Sequence, residues 1–383
     1  MKKIEELEHL PKLIRSKFNA KLHKKENHPI CIVKNTMMSY FQSAFNAENV
    51  APTTAAAGAS EHFVIFDDIN PVVSTKNNFD LLLIAPDHPS RSKSDTYYVT
   101  EETVLRTHTS AHQNELLALG HRSFIVTGDV YRKDQVDKFH FPIFHQMEGV
   151  KIIPGSDIKI AELELKKVLA GMASKLFPGK ESRFNPDYFP FTEPSFELEV
   201  KFGEKWVEVL GCGVIHREIL DRHGIKDNGF AFGIGLERIA MILFAIPDIR
   251  MFWTDDLRFL SQFKNGEFKE FKQYRILEPL DRDITMWLAT ADVVKSPTTD
   301  DFKWTKLNDF YELVREICGE NVENVELRER YHNKKADKYS HCFRIKFSPN
   351  VAENNPAEFK KIADAHVVQL QGKIFATLGA EPR

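Results

Sequence analysis

Residues 126–152, VTGDVYRKDQVDKFHFPIFHQMEGVKI, constrain the fold more tightly than any other stretch of this chain. β-formers crowd residues 123–130, and charged, turn-forming residues fill 133–140. Residues 144–153 then alternate, with Gln146, Glu148 and Val150 on one face and His145, Met147 and Gly149 on the other. This predicts an antiparallel hairpin with a long tip. On such a hairpin Arg132, leaving the first strand, falls close to Gln146 and Glu148 on the second. The Arg fork matches phosphate or carboxylate, and Glu148 and Gln146 can accept the protons of an ammonium group. A cross-strand ion pair on a solvated sheet would use the same residues, so the hairpin alone leaves both readings open.

Composition removes several function classes. A length of 383 residues suggests two or three domains. A hydrophobic share of 42% beside a charged share of 28% suits a soluble globular protein. No apolar run approaches the ~20 residues of a membrane span. A net charge of -3 excludes indiscriminate coating of nucleic acid but permits a local basic patch. Cys31, Cys212, Cys318 and Cys342 are scattered, which reads as four reduced thiols and no zinc.

Along the chain, residues 1–27 carry charges of both signs, a poor transit peptide; they read as a docking helix or as a segment that has lost its presequence. Residues 30–45 form an amphipathic helix with Val33, Met37, Phe41 and Phe45 at a spacing of four. Residues 46–60 read as an exposed insertion, and 62–66 as a strand. In NFDLLLIAPDHPSR (78–91), His88 and Arg91 read as supports of an irregular segment. LRTHTSAHQ (105–113) opens a helix that Thr109 or Ser110 would cap. Residues 158–176 form a helix facing a core with Leu163, Val168, Met172 and Leu176.

An antiparallel meander follows over 188–202 and 205–213, in which Phe189 and Phe191 share a face. Glu208 falls on the face of Trp206 and Leu210 and needs a partner there, either a cation such as Mg²⁺ or an arginine. GFAFGIGLERIAMIL (229–243) is a strand whose glycines let a ligand approach the backbone, leading into a helix with Arg238 in its first turn. Beyond a charged linker at 261–272, a β-α-β-β-α order reads as a split ferredoxin-like unit. Its hairpin gathers Arg328, Arg330, Lys334, Lys335, Lys338, Arg344 and Lys346 against only Glu329 and Asp337.

Taken together, HTS, VYRKD, FHQMEG and GFAFGIGLER resemble the motifs of class II aminoacyl-tRNA synthetases, and in detail the single-chain organellar phenylalanyl-tRNA synthetases. FDLLLIAPDHPSR, YFPF, NDFYELVREICG and KYSHCFRIKF resemble the same family, so the likeness runs from about His28 to Arg383. It implies an α+β fold, in which a class II antiparallel sheet flanked by helices (28–260) precedes a ferredoxin-like anticodon-binding domain (273–383). It also implies a monomer of the mitochondrial matrix, with plastid or cytoplasm as the alternative, acting on phenylalanine, ATP with Mg²⁺, and tRNA(Phe). A catalytically silent tRNA-binding paralogue is the competing reading, against which both motif arginines stand intact.

By the same resemblance, Arg132 bridges carboxylate and α-phosphate, and Arg238 holds the γ-phosphate and covers adenine. Phe144 takes the other adenine face, His140 lies near the phosphates, and Phe139 and Phe141 shape that pocket. His108, Ser110, Gln113, Gln146 and Glu148 hold the amino-acid head group, with Ala111, His112 and Met147 alongside. Phe189, Phe191, Ala231 and Phe232 line the phenyl cavity, Glu208 takes Mg²⁺ or an arginine, and the seven basic residues of the C-terminal hairpin meet tRNA.

Overall fold

The computed structural model describes residues 7–44, 62–274, 278–296, 301–348 and 355–383. The expected insertion at 46–60 and Phe45 of the first amphipathic helix lie outside them. Seven strands build one sheet: β1 Val64–Phe66, β2 Ser123–Tyr131, β3 Ile143–Ile153, β4 Ser182–Phe189, β5 Thr192–Phe202, β6 Lys205–Ile215 and β7 Asn228–Gly235. Their spatial order is β1-β2-β3-β7-β6-β5-β4, antiparallel throughout except where β1 runs parallel to β2. The predicted hairpin is β2 and β3, and it sits inside the sheet rather than on a solvated edge. All nine residues of β2 are buried, so both faces of this strand are covered.

Helix α1 Pro29–Ala44 and helix α3 Ile158–Leu176 cover one face of the sheet, the short α2 Gln113–Ala118 precedes β2, and α4 Leu236–Leu243 follows β7. The α1 residues Val33, Met37 and Phe41 are fully buried, and each such side chain contributes ~1.5–3 kcal/mol by leaving water. In α3 the buried stripe is Ala161, Leu165, Val168, Leu169, Met172 and Leu176, capped where Asp157 accepts from the Ile160 amide. Leu163 does not join it and is 69% exposed, because two residues turn an α-helix by about 200° and carry it away from Leu165. Leu7, Leu10 and Ile14 at one end, and Phe263 and Phe271 from the stretch read as a linker, are buried in the same core.

The C-terminal unit places β8 Leu280–Leu288, α5 Leu307–Cys318, β9 Val322–Asn333, β10 Lys338–Phe347, α6 Pro356–Leu378 and β11 Glu381–Pro382 in order. Its sheet runs β9-β10-β8-β11, the order of a ferredoxin-like fold, and the short β11 completes what the sequence showed only as five elements. Tyr339, Phe343, Ile345 and Phe347 of β10 point to the core, which leaves Lys338, Arg344 and Lys346 on the other face.

The basic cluster there is not the unopposed one read from the sequence. Arg344 grips Asp283 with two bonds of 2.8 Å, Lys346 meets Glu323 at 2.8 Å, Arg328 meets Glu326 at 3.0 Å and Arg330 meets Asp301 at 2.8 Å. Asp283 reaches the cluster by cross-strand pairing and Asp301 from a loop, both outside the hairpin, while Glu323 and Glu326 stand on β9 itself, just ahead of the first of the basic residues.

Candidate active site

The site is assembled on the sheet face that carries Gln146 and Glu148. In the β2/β3 register Gly128 opposes Gln146 and Val126 opposes Glu148, while in β3/β7 Gly233 opposes Glu148. Gly128 has no side chain because the Arg106 guanidinium lies there, where a Cβ would meet Nη2. From that seat Arg106 donates Nε–H to the Asp129 carbonyl at 2.7 Å and approaches His112 Nε2 at 2.8 Å.

Arg132 follows β2 and donates Nε–H to the Thr107 carbonyl at 2.7 Å, with its guanidinium 5.2 Å from the centre of the Phe144 ring. No carboxylate pairs with it among the described residues, so the rest of its fork faces the cavity. Thr107 is in turn fixed by Asn78, which donates to its hydroxyl at 2.9 Å and accepts from its amide at 3.1 Å. Asn78 is not among the expected site residues; its place at the head of NFDLLLIAPDHPSR is the signal that could have found it. Arg91 in that stretch pairs with Asp80 at 2.7 Å and bonds the Ile84 carbonyl, a support as expected.

Two cavities meet at Arg132, Gln146 and Glu208. The larger, of 660 Å³, is lined by His108, Ser110, Glu148, Phe189, Phe191 and Ala231. The smaller, of 260 Å³, is lined by Phe139, His140, Phe141, Phe144 and Arg238. Gly211 and Gly233 also border both. A Cβ on Gly211 would lie 2.7 Å from the Phe189 ring, so this glycine seats the aromatic wall. Phe189 and Phe191 stack with centroids 6.1 Å apart. Around Gly233 and Gly235 a Cβ would meet no atom of the described residues within 4 Å, whereas Gly229 is needed for close packing on Lys151 and Ile152.

Electrostatics separate the two cavities. Glu148 is buried with no cationic partner among the described residues, and burial raises its pKa to about 8, the hydroxyls of Ser110 and Thr109 opposing. Burial lowers His108 to about 3, with Arg132 adding to the shift, so its imidazole is neutral. His140 is shifted the other way, upwards, chiefly by its hydrogen bond to Asp137. A buried carboxyl with no cation beside it at the floor of an aromatic cavity offers an incoming ammonium a partner once its proton is given up, and the cationic fork of Arg132 with His140 and Arg238 suits a polyphosphate.

Several expected residues stand elsewhere. Phe232 opposes Gly149 and Cys212 on the other face, where its ring stacks on Phe41 at 4.8 Å; only its backbone is left to border the cavity. Met147 points to that same helix-packed side, as strand alternation from Gln146 requires, and is fully buried. Ala111 packs in a small cluster with Phe79 and Leu82, and His112 is held by Arg106 and by Glu115 at 3.5 Å. Gln113 is buried with neither amide atom hydrogen-bonded among the described residues, and it borders neither cavity.

The expected cap is absent: His108 precedes the short 3-10 turn Thr109–His112 and no side chain caps it. Glu208 does not share a face with Leu210. Leu198 pairs with Leu210 and Glu199 with Glu208, so Val209 is bulged and shifts the alternation by one. Glu208 is therefore 44% exposed and reaches Arg238 Nη1 at 3.3 Å.

The same frame appears in known proteins. Residues 60–263 match the family model "tRNA synthetases class II core domain (F)". The chain is 44% identical over 375 residues to the chloroplastic/mitochondrial phenylalanine-tRNA ligase of Arabidopsis thaliana, covering 95% of this chain and 79% of that one. It is 39% identical to the mitochondrial phenylalanine-tRNA ligase of Dictyostelium discoideum, over 90% of this chain and 83% of that one. To the mitochondrial enzyme of Mus musculus it is 37% identical, over 88% and 78%. With likeness at this level running through both the sheet that holds the two cavities and the unit that follows it, the chain belongs to the phenylalanine-tRNA ligase family of class II synthetases.

Proposed function

We propose that this chain joins phenylalanine to the adenylyl group of ATP and then transfers the phenylalanyl group to tRNA(Phe), as an organellar enzyme working in the mitochondrial matrix as a monomer. One observation carries the reading: an aromatic cavity with a buried carboxyl that has no cationic partner among the described residues, and a polar cavity with two arginines, share Arg132, Gln146 and Glu208 as lining. Phenylalanine lies in the first, its ammonium on Glu148 and Gln146 and its ring against Phe189, Phe191 and Ala231. Triphosphate and adenine lie in the second, between Phe144 and Arg238, with His140 beside the phosphates.

A carboxylate oxygen of phenylalanine attacks the α-phosphorus, the bond from that phosphorus to the α,β-bridging oxygen breaks, and the β- and γ-phosphates leave as pyrophosphate. The ribose hydroxyl of the terminal adenosine of tRNA then attacks the activated carbonyl and AMP leaves. Arg132, anchored through Thr107, touches both reactants at the junction and spreads the charge gained at phosphorus; alignment supplies the rest.

Glu208 borders both cavities and keeps half of its side chain in solvent, which fits a carboxylate sharing Mg²⁺ with ATP phosphates. That ion would neutralise phosphate charge, while Arg238 releases Glu208 to contact phosphate itself. On the C-terminal sheet, Trp287 and Tyr331 lie under Arg383, at 4.7 and 5.3 Å, with Lys338 5.9 Å from Trp287. Aromatic rings beside cations suit single-stranded RNA bases, and this face is where the anticodon would lie.

Arg132→Ala and Arg238→Ala test the reading. Losing a charge-stabilising donor costs about 3 kcal/mol in the transition state, so each should lower phenylalanine-dependent pyrophosphate exchange by ~10²-fold or more. Near-parental exchange by both variants, with the fold intact by circular dichroism, would remove the assignment.

A further inference from the structure

On the face of the hairpin turned away from both cavities, three buried side chains converge. Asp129 and His145 are opposed in the β2/β3 register, and His23 reaches them from the segment before α1. His23 and Asp129 are 1% exposed and His145 is 0% exposed. His23 Nδ1 lies 3.6 Å, and His145 Nε2 3.4 Å, from the same Asp129 oxygen, and all three atoms fall within 4.8 Å of one another. Not one of the three atoms makes a hydrogen bond among the described residues.

The outer partners of this cluster are already in place. His23 Nε2 is 3.0 Å from the Asp67 carbonyl, so that nitrogen carries the proton and Nδ1 keeps a lone pair aimed inward. His145 Nδ1 is 2.6 Å from Glu237 Oε1, while the other Glu237 oxygen accepts the His145 amide at 2.8 Å. The second Asp129 oxygen accepts from the Lys21 amide at 3.3 Å. Imidazoles oriented by a carbonyl and a carboxylate, with the far nitrogens converging, are what a metal-binding histidine pair requires.

We propose that His23, Asp129 and His145 form a zinc site that fastens the N-terminal segment to the back of the catalytic hairpin. Zinc bonds of ~2.0–2.2 Å set tetrahedrally hold neighbouring donors about 3.4 Å apart, which matches both separations from Asp129. Two imidazoles with one carboxylate select a zinc-class ion over magnesium or calcium, and a water completes the fourth position.

A proton on His145 Nε2 is the competing arrangement. It would make one long contact to Asp129 and leave His23 Nδ1 buried without a donor, whereas a divalent ion satisfies all three atoms. This site is separate from the scattered cysteines, whose spacing had argued against zinc, and it takes no part in the reaction. Its role is to hold β2 and β3 still behind Arg132, Gln146 and Glu148.

The test is metal content of the full chain, expressed with supplemental zinc and dialysed, read by native mass spectrometry and elemental analysis. We expect about one zinc per parental chain and at least about fivefold less in His23→Gln and Asp129→Asn. Cobalt(II) loading of the parent should give the intense visible bands of a tetrahedral ion, a result that needs no variant to fold. A zinc-free parent, a cobalt spectrum of six-coordinate type, or equal zinc in the parent and both variants, meaning an adventitious ion only, would each overturn the site.

Discussion

Glu148 shows how one side chain stores a binding preference. In the folded protein its carboxyl titrates near 8 because burial disfavours the charge, against 4.5 for the free group. Between those values the folded state holds a proton that the unfolded state has lost, so the ligand-free protein loses stability as pH rises through this window. An ammonium bound at Glu148 reverses the preference and expels the proton. Phenylalanine binding at pH 7 should therefore release up to roughly one proton, and its dissociation constant should fall approaching tenfold per pH unit up to about pH 8. Calorimetry in buffers of different ionisation enthalpy measures this directly. Identical heats in all buffers would mean that Glu148 is already ionised or does not receive the ammonium. His108, held neutral beside Arg132, adds no competing proton over that range.

Strands β2, β3, β6 and β7 work as two-sided elements, and glycine decides what each side can hold. Gly149 accommodates the Phe232 ring, where a Cβ would lie 2.2 Å from it, and Phe232 in turn stacks on Phe41 of α1. Gly149→Val should overpack this contact and destabilise the protein by ~1–3 kcal/mol, seen as a lower urea midpoint. Gly233→Ala should leave that midpoint unchanged, since no atom lies near its added methyl, yet weaken substrate binding at the cavity junction. Equal midpoints for parent and Gly149→Val would show that Phe232 is not wedged there. In the C-terminal sheet, most of the basic residues are engaged by acids, so the cations over aromatic rings are the better candidates for RNA. Reversal of Lys338 and Arg383 to Glu should weaken tRNA binding and reduce its salt slope by about two; an unchanged slope would place the tRNA elsewhere.

At the scale of the molecule, the C-terminal unit is seated on the tip of the catalytic hairpin. The buried Arg315 of α5 bonds the carbonyls of Asp134 and Gln135, the latter at 2.7 Å, and the Val325 amide donates to Val136 at 2.8 Å. Asn308 donates to Asp95 at 2.7 Å and borders the larger cavity, while Tyr97 donates to Glu312 at 2.8 Å. The two units therefore share a wall of the site, and their docking steadies the loop that follows Arg132. Arg315 also meets Glu312 at 2.5 Å, and removing one member of such a buried charged network costs ~3–5 kcal/mol, more than a surface contact could. Arg315→Ala should speed hydrogen exchange at the Val325 amide by at least tenfold and raise KM for ATP, with the core of each unit protected as before. Protection at Val325 equal to the parent would show that docking does not depend on this arginine.

Much of this was legible along the chain. Alternation over 144–153, the glycine strand before Arg238 and the order of the motifs set the hairpin, the meander and the family, because those signals lie within one element or one ordered series. The likeness also assigned Arg132, Glu148 and the aromatic wall. Tertiary structure alone decided what faces what. A one-residue bulge at Val209 moved Glu208 off the face of Leu210, and strand pairing turned the Phe232 ring away from the cavity. It also brought Asp283 and Asp301 to the C-terminal cluster, and His23 to Asp129 and His145 across more than a hundred residues. Periodicity fixes a face only while its phase is kept, and partners distant in sequence leave no local trace of their meeting.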